Sequence, residues 1–373
     1  MSKLIALAPL VLLACTGDAP PVDPDPGAAD PGETAPPDDF GSDVLPPDDG
    51  YVPKPVSATR FGVFYQISPD VLAQYQDETG GGLPHVANHA WIITHSNASV
   101  FASRALADLV HARDDFYYFP AFDVWKPSHA GWTTADDATL AQMAHDFRDY
   151  AIAHHADGFA FNEVPSDAGS NAALRVRIAK LLRGLHEPDA QGRVLPGVVY
   201  FTEKPSLVAS WDDPASDFFA AIDETSVALV VEHYHSNGYM CSRSDSELAS
   251  HYFGLRDWLD ASGEPAKVSI ANSKYTVLHS ARFSDGASGW AGGDASRITL
   301  ADYQRALSRV AKITRETQGG LNRLSFAPLT TSLTDAGVQP RITELYRWHY
   351  LHTAPQATEL PCIAGAAGNC TCQ

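Results

Sequence analysis

The chain is organised around one stretch, DGFAFNEVPS, at residues 157–166. Its apolar run, FAF, is typical of a buried strand. The run ends in Asn162 and Glu163, and Pro165 then ends the strand. A carboxylate is costly to bury unless it has partners or a function. The stretch therefore predicts a buried strand that carries an acidic group at its carboxyl end.

Seven other stretches repeat this design, with a short apolar strand, polar residues at its end and a helical segment. After the sixth strand, Ser244 and Glu247 form a capping-box pattern. Eight such alternations favour an α/β fold, a (β/α)8 TIM barrel over residues 56–353, over a doubly wound sheet. No glycine-rich phosphate fingerprint follows the first strand. The predicted strands are 60–66, Ala90–His95, Phe116–Asp123, 159–161, 195–201, 227–231, 267–271 and 323–327.

The N-terminus resembles a bacterial lipoprotein signal peptide. Residues 1–15 carry Lys3, an apolar run too short to span a bilayer, and Cys15 at the expected lipidation position. We expect cleavage before Cys15 and lipidation of its thiol. The chain would then be exported and anchored to the outer membrane or the cell surface.

Residues 16–55 predict a disordered linker between the anchor and the barrel. They contain ten acidic residues and a single basic one, Lys54, and are rich in Pro and Asp. Such a segment cannot bury enough apolar surface to offset its ordering entropy. The linker accounts for about half of the net charge of −19. The acidity and the lack of a Lys/Arg stripe argue against a nucleic-acid partner.

Carboxylates at the ends of strands four to six indicate the chemistry. In barrels of this class the active site lies at the carboxyl ends of the strands, and Glu163, Glu203 and Glu232 occupy such positions. Glycoside hydrolysis needs two carboxyl groups, one protonated and one ionised. We expect Glu163 to be the proton donor and Glu232 the nucleophile or base, ahead of Glu203, which has Lys204 beside it.

Polar and aromatic residues around the same ends predict a sugar-binding cleft. Aromatic rings can stack on the apolar faces of sugars, and Trp132 and Tyr239 also fall in the predicted loops of this face. The expected substrate contacts are Asn162, Gln66, His95, Asp123, Trp125, His233, Tyr234, His235, Asn272, Lys274, Tyr275 and Trp290.

The dipeptide Asn162-Glu163 resembles the large clan of retaining (β/α)8 glycosidases, whose acid/base glutamate follows an asparagine at the end of strand four. The resemblance implies that Glu163 is the acid/base and that Asn162 contacts a sugar hydroxyl. That clan has its nucleophile at the end of strand seven, where this chain has no carboxylate, so Glu232 or Glu203 would take its place, as in other barrel glycosidase clans. The stretch DGFAFNEVP is also similar to spherulin-like and polygalactosaminidase-like barrels, which act on amino-sugar polymers.

Two other functions remain open. A non-catalytic barrel lipoprotein would bind carbohydrate with the same aromatic rim. A metal-dependent hydrolase could use His233 and His235 with Glu163, Asp123 or His95 as ligands. The His-x-His pattern of barrel amidohydrolases belongs on strand one, which here reads VFYQ, so we expect no metal and no cofactor.

Four cysteines follow Cys15. In an exported protein an even number suggests two disulfides, with three possible pairings. A bridge between Cys370 and Cys372 would be strained, so we expect Cys362 to pair with one of them and Cys241 with the other. Residues 354–373 form the cysteine-containing tail. The expected protein is a monomeric, surface-anchored glycoside hydrolase that cleaves an oligo- or polysaccharide.

Overall fold

The computed structural model describes the backbone at residues 45–56, 61–66, 90–95, 102, 104–112, 114, 116–123, 131–164, 171–201, 217–233, 243–280 and 324–327. All of these residues belong to one compact unit, Ala35–Gln373. The predictions for residues 1–15, for the linker before residue 45 and for the tail lie outside the described residues.

Eight parallel strands form a closed barrel in chain order, each paired with the next and the eighth with the first. This confirms the α/β class with a parallel sheet. The strands are β1 Phe61–Gln66, β2 Ala90–His95, β3 Phe116–Asp123, β4 Phe159–Val164, β5 Gly197–Phe201, β6 Ser226–His233, β7 Tyr275–Ser280 and β8 Leu324–Ala327.

Helices follow β2 to β6 along the chain. The helix after β6 has the predicted capping box, because the Ser244 side chain accepts from the Glu247 amide and the Glu247 carboxylate accepts from the Ser244 amide. The full set of eight strand–helix units remains a prediction. The described helices are α1 Arg104–His111, α2 Asp137–Ala153, α3 Ala172–His186, α4 Phe218–Thr225, α5 Asp245–Ala261 and α6 Pro265–Ser269, with a π-helix at Ile270–Lys274.

The prediction of a seventh strand at 267–271 was wrong. Those residues lie in α6 and in the π-helix, and the strand begins only at Tyr275. Pro265 occupies the first turn of α6, where its missing N–H costs nothing and its fixed φ suits a helix. A short apolar run cannot be assigned to a strand or a helix by periodicity alone.

Alternate strand residues form two apolar layers, one inside the barrel and one between the strands and the helices. Ala160 of β4 packs in the inner layer, while Phe159 and Phe161 pack in the outer layer. Gly158, just before this strand, is required by close packing, because a Cβ there would lie 2.3 Å from the Phe119 ring. The inner layer contains Tyr117, Phe119, Ala121, Ala160, Val198, Ala228 and Val230.

Residues 45–56, the N-terminal strap, lie against the amino-terminal ends of β3 and β4. Arg193 holds the strap by donating to both carboxylate oxygens of Asp48, each at 3.0 Å. Asp49 pairs with His155 at 3.0 Å and with Arg104. The predicted linker extends to Pro55, and the structure shows that its last part, residues 45–55, is bonded to the barrel by these contacts. The many carboxylates of this segment predicted disorder, but Asp48 and Asp49 form ion pairs with basic side chains of the barrel.

The strap's ion pairs predict an acid-sensitive contribution to stability. The hydrogen bond from Arg193 lowers the pKa of Asp48, and the bond from His155 lowers the pKa of Asp49, relative to an ordinary value of 3.8. A carboxyl whose pKa is lowered by folding stabilises the folded state above its unfolded pKa, and this is lost as pH falls through the folded pKa. We expect Asp48→Asn/Asp49→Asn to lower the urea midpoint at pH 7. The difference from the wild type should shrink below about pH 4. A difference that stayed constant from pH 7 to pH 3 would contradict this role of the two carboxylates.

Candidate active site

The carboxyl ends of the parallel strands gather several predicted site residues at one end of the barrel. The register places Gln66 beside His95 on β1 and β2, and Asp123 beside Asn162 on β3 and β4. His233 ends β6 at the same end of the barrel. The backbone thus brings the predicted residues of β1, β2, β3, β4 and β6 to one mouth.

A β-bulge interrupts β4 at the predicted catalytic dipeptide. Phe161 pairs with Val199 and Val164 pairs with Phe201, so two residues of β4 oppose the single residue between Val199 and Phe201 on β5. Those two residues are Asn162 and Glu163. Bulges are common next to active sites, where they redirect a side chain.

Two buried anchors flank this bulge. Phe161 is 0% exposed and Val164 is 2% exposed, and both pack in the outer layer. In a regular strand, two outer-layer residues enclose one inner position. Here two residues, Asn162 and Glu163, stand in the chain between the two outer-layer residues. The bulge is thus held from both sides by packing against the helices.

Glu232 lies near the carboxyl end of β6. Ala228 and Val230 pack in the inner layer, whereas Leu229 and Val231 pack in the outer layer. Glu232 comes two residues after Val230 in the chain and one residue before His233, which ends the strand. Its β7 neighbour is Leu278.

The structure corrects the placement of Asn272, Lys274 and Tyr275. They precede or begin β7, at the amino-terminal end of the barrel and opposite the mouth. Asn272 donates to Asp260 at 3.2 Å, and the Lys274 ammonium lies 2.9 Å from the Asp223 carboxylate. These three residues were expected in the sugar cleft because they were predicted to follow strand seven. That prediction is wrong, because β7 begins only at Tyr275.

Tyr275 is a core residue. It is 2% exposed, and its hydroxyl donates to the Tyr252 carbonyl at 2.6 Å. Burial raises the pKa of its phenol, so the neutral form persists. The carboxyl end of β7 instead carries His279 and Ser280, and His279 lies beside His233 in the register. The run YTVLHS, rich in β-branched and aromatic residues, could have indicated this strand from the sequence.

Trp132 also differs from its predicted place on an open aromatic rim. It lies in the short helical turn that precedes α2 and is fully buried. Its ring meets the Phe161 ring edge-on, with centroids 6.4 Å apart. Other predicted site residues lie outside the described residues, namely Glu203, Trp125, Tyr234, Tyr239, His235 and Trp290, as do Cys241, Cys362, Cys370 and Cys372.

A buried polar cluster at the opposite end was missed by the sequence analysis. Asp157 is 0% exposed and accepts from Tyr51 Oη at 2.5 Å and from the Lys54 amide at 2.8 Å. Its second oxygen accepts from the Tyr118 amide at 2.9 Å and lies 2.7 Å from His111 Nε2. This cluster attaches the strap to the barrel. In the sequence, the indication of this cluster is an aspartate that stands directly before a buried strand.

Burial raises the pKa of the Tyr51 phenol, and the Asp157 carboxylate raises it further. Tyr51 therefore keeps its proton and remains a donor. Its ring stacks on His155, with centroids 4.0 Å apart. The donors around Asp157 satisfy both oxygens of this buried carboxyl group, as is required of a polar group removed from water.

Among the described residues, no group of three or more His, Cys, Asp or Glu side chains is arranged to hold a metal ion. None of the helices the structure describes is long and apolar enough to cross a membrane.

Comparison with known proteins identifies a shared fold. No family model matches the chain, and no curated protein matches it. A solved GH18 chitinase from Pseudoalteromonas aurantia superimposes with a TM-score of 0.50 at 11% identity, over 77% of this chain and 100% of that one. At this identity the likeness concerns the fold alone.

Two further solved structures match less well. The spore cortex-lytic enzyme SleL of Bacillus megaterium has a TM-score of 0.46 at 12% identity and covers 78% of this chain and 73% of its own. A glycosyl hydrolase of the GH3 family from Mycobacterium smegmatis has a TM-score of 0.42 at 13% identity, over 78% and 88%.

Proposed function

We propose that this chain is a glycoside hydrolase that cleaves a polysaccharide by carboxylate acid/base catalysis at the mouth of its barrel. The observation that carries the proposal is the β4 bulge, which sets Asn162 and Glu163 at the carboxyl end of a buried strand. The fold shared with a GH18 chitinase supports the same class of reaction.

In the proposed mechanism Glu163 protonates the leaving glycosidic oxygen. Glu232, two strands away, is the nucleophile or the base that activates water. The place of Glu232 near the carboxyl end of β6, two residues after Val230, supports Glu232 as the partner. Glu203 remains the second choice. Separated carboxyl groups would leave room for a water and favour inversion, whereas close ones would favour retention.

Gln66, His95, Asp123, Asn162 and His233 are proposed to contact the sugar around these two groups. Their common place at the strand ends supports this role. Trp125, Tyr234, His235 and Trp290 are proposed to line the cleft from the loops. The substrate would then be held by rings on its apolar faces and by polar groups on its hydroxyls.

A panel of purified polysaccharides, assayed for new reducing ends, tests the proposed function. The chain from residue 45 onward should be used so that the strap is retained. Reducing ends released from at least one polymer would support the hydrolase. Saturable binding without any release would support the carbohydrate-binding barrel. Release that is abolished by a chelator and restored by a divalent cation would favour the metal-dependent hydrolase.

We further propose that Cys15 carries lipid and that the protein works at the bacterial outer membrane or cell surface. The signal-like residues 1–15 and the acidic linker support the proposal. Cys15→Ser should move the protein from the membrane fraction to the soluble fraction, because a lipid chain contributes about 0.8 kcal/mol per buried CH₂ group. Unchanged membrane association of the variant would contradict lipidation.

A further inference from the structure

The turn that contains Trp132 directly precedes α2 and contacts Phe161, the residue before the β4 bulge. The turn is closed by backbone bonds from Thr134 and Ala135 to the Gly131 carbonyl, at 3.3 and 2.9 Å. It then enters α2 through Asp136, whose carboxylate accepts from the Thr139 amide at 2.8 Å. Hydrogen bonds therefore fix the turn on the side that enters α2.

Helix α3 ties the same turn from the other side. The Arg177 guanidinium donates to the Trp132 carbonyl at 3.2 Å and to the Ala135 carbonyl. Because α3 follows β4 in the chain, this contact links the element before the strand to the element after it. The bond to its carbonyl thus fixes the Trp132 backbone and, through it, the position of the ring.

The buried ring of Trp132 meets Phe161, the residue directly before the bulge. The two rings are inclined by 77° and form an edge contact. Both side chains are 0% exposed. Such aromatic pairs have a defined geometry. On the far side of the bulge, Val164 is the second buried anchor. The positions of Asn162 and Glu163 therefore depend on where Phe161 is held.

We propose that Trp132 is a positioning residue for the proton donor and acts through Phe161 to hold the β4 bulge. The inference rests on the proposed function of Glu163. A small misplacement of a reacting group can cost about a hundredfold in rate, so a loosened bulge lowers kcat more than it changes KM. A loosened bulge also changes the surroundings of Glu163, the proton donor, so the basic limb of the pH profile of kcat shifts.

The test uses a polymer cleaved by the wild type and compares Trp132→Leu with Trp132→Phe. We expect Trp132→Leu to lower kcat about thirtyfold, with KM changed by less than about threefold. The basic limb of its kcat profile should move by about half a pH unit or more. Trp132→Phe keeps a ring against Phe161 and should recover most of the rate and the original profile.

The matched control is Leu185→Ala. Leu185 is also 0% exposed, but it lies in the last turn of α3, at the end of the helix away from the mouth. We expect this control to lower the urea midpoint while kcat stays within about twofold and the pH profile stays unchanged. If Trp132→Leu behaved like Leu185→Ala, Trp132 would be only a core residue and the inference would be overturned.

Two further variants make the outcome decisive. If Trp132→Leu fails to fold, Arg177→Met loosens the same turn from a half-buried position and should give the same fall in kcat and the same shift. An unchanged profile in Arg177→Met would overturn the inference.

Glu163→Gln is measured in parallel. Normal turnover of that variant would overturn the proposed function together with this inference. Lost turnover in Glu163→Gln, with Trp132 variants that follow the control, would overturn the inference alone.

Discussion

Replacing Glu163 with Gln is expected to lower kcat about a thousandfold, because general acid catalysis contributes about 10²–10⁴ in rate and an amide cannot protonate the leaving oxygen. Substrate binding should change little, since the amide keeps the shape of the side chain. A fall in kcat with an unchanged dissociation constant is the pattern of an interaction made only in the transition state. The measurement is steady-state turnover, together with binding of the intact polymer.

Glu232→Gln should show a loss of similar size if Glu232 is the nucleophile or the base. The matched control is Glu224→Gln, which removes a surface carboxylate paired with Arg183 and should leave kcat within about twofold. If Glu232→Gln were active, the second carboxylate would have to be sought at Glu203. If changes at Glu232 and at Glu203 both left turnover unaffected while Glu163→Gln was inactive, a substrate-assisted mechanism with one enzymatic carboxyl group would replace the pair.

The largest effect on stability is expected at Asp157. Its replacement by Ala should lower the free energy of unfolding by about 3–5 kcal/mol, because the buried partners of the carboxylate are left unpaired. Tyr51→Phe removes only the phenolic donor and should cost about 1–2 kcal/mol. Urea unfolding of the chain from residue 45 measures both. Turnover of the folded variants should be close to that of the wild type, since the cluster lies at the end of the barrel opposite the mouth.

The control for the Asp157 experiment is Asp137→Asn. Asp137 pairs with Lys180 on the surface, where the two side chains are 74% and 46% exposed. Exposed pairs contribute about 0–1 kcal/mol, so the free energy of unfolding should hardly change. An Asp157→Ala variant as stable as this control would contradict the attachment of the strap by the buried cluster.

Local sequence patterns predicted much of the barrel. The capping box at Ser244 and Glu247 depends on residues three positions apart, so the sequence contains all of its determinants. The start of β4 was predicted correctly for a similar reason, because an apolar run before an amide and a carboxylate has few explanations other than a buried strand. Its continuation to Val164 through a bulge was missed, since the extra residue is visible only against the register of β5.

Long-range contacts decided the features that the sequence did not predict. The strap is acidic and rich in proline, which favours disorder, yet Arg193, Arg104 and His155 supply its charge partners from distant parts of the chain. Trp132 was expected at an open cleft, because its loop position gave no indication of the Phe161 ring that covers it. In both cases the local composition was overridden by partners far away in the sequence.

Catalysis by Glu163 at the β4 bulge can be followed through the oxygen atom that hydrolysis adds to the product. The most direct measurement is hydrolysis in heavy-oxygen water of the polymer found by the panel, with wild-type protein and Glu163→Gln side by side and the products weighed by mass spectrometry. Hydrolysis by the wild type should place one labelled oxygen at each new reducing end, and Glu163→Gln should give almost no product. Products that carry no label, or equal amounts of labelled product from the two proteins, would contradict the account.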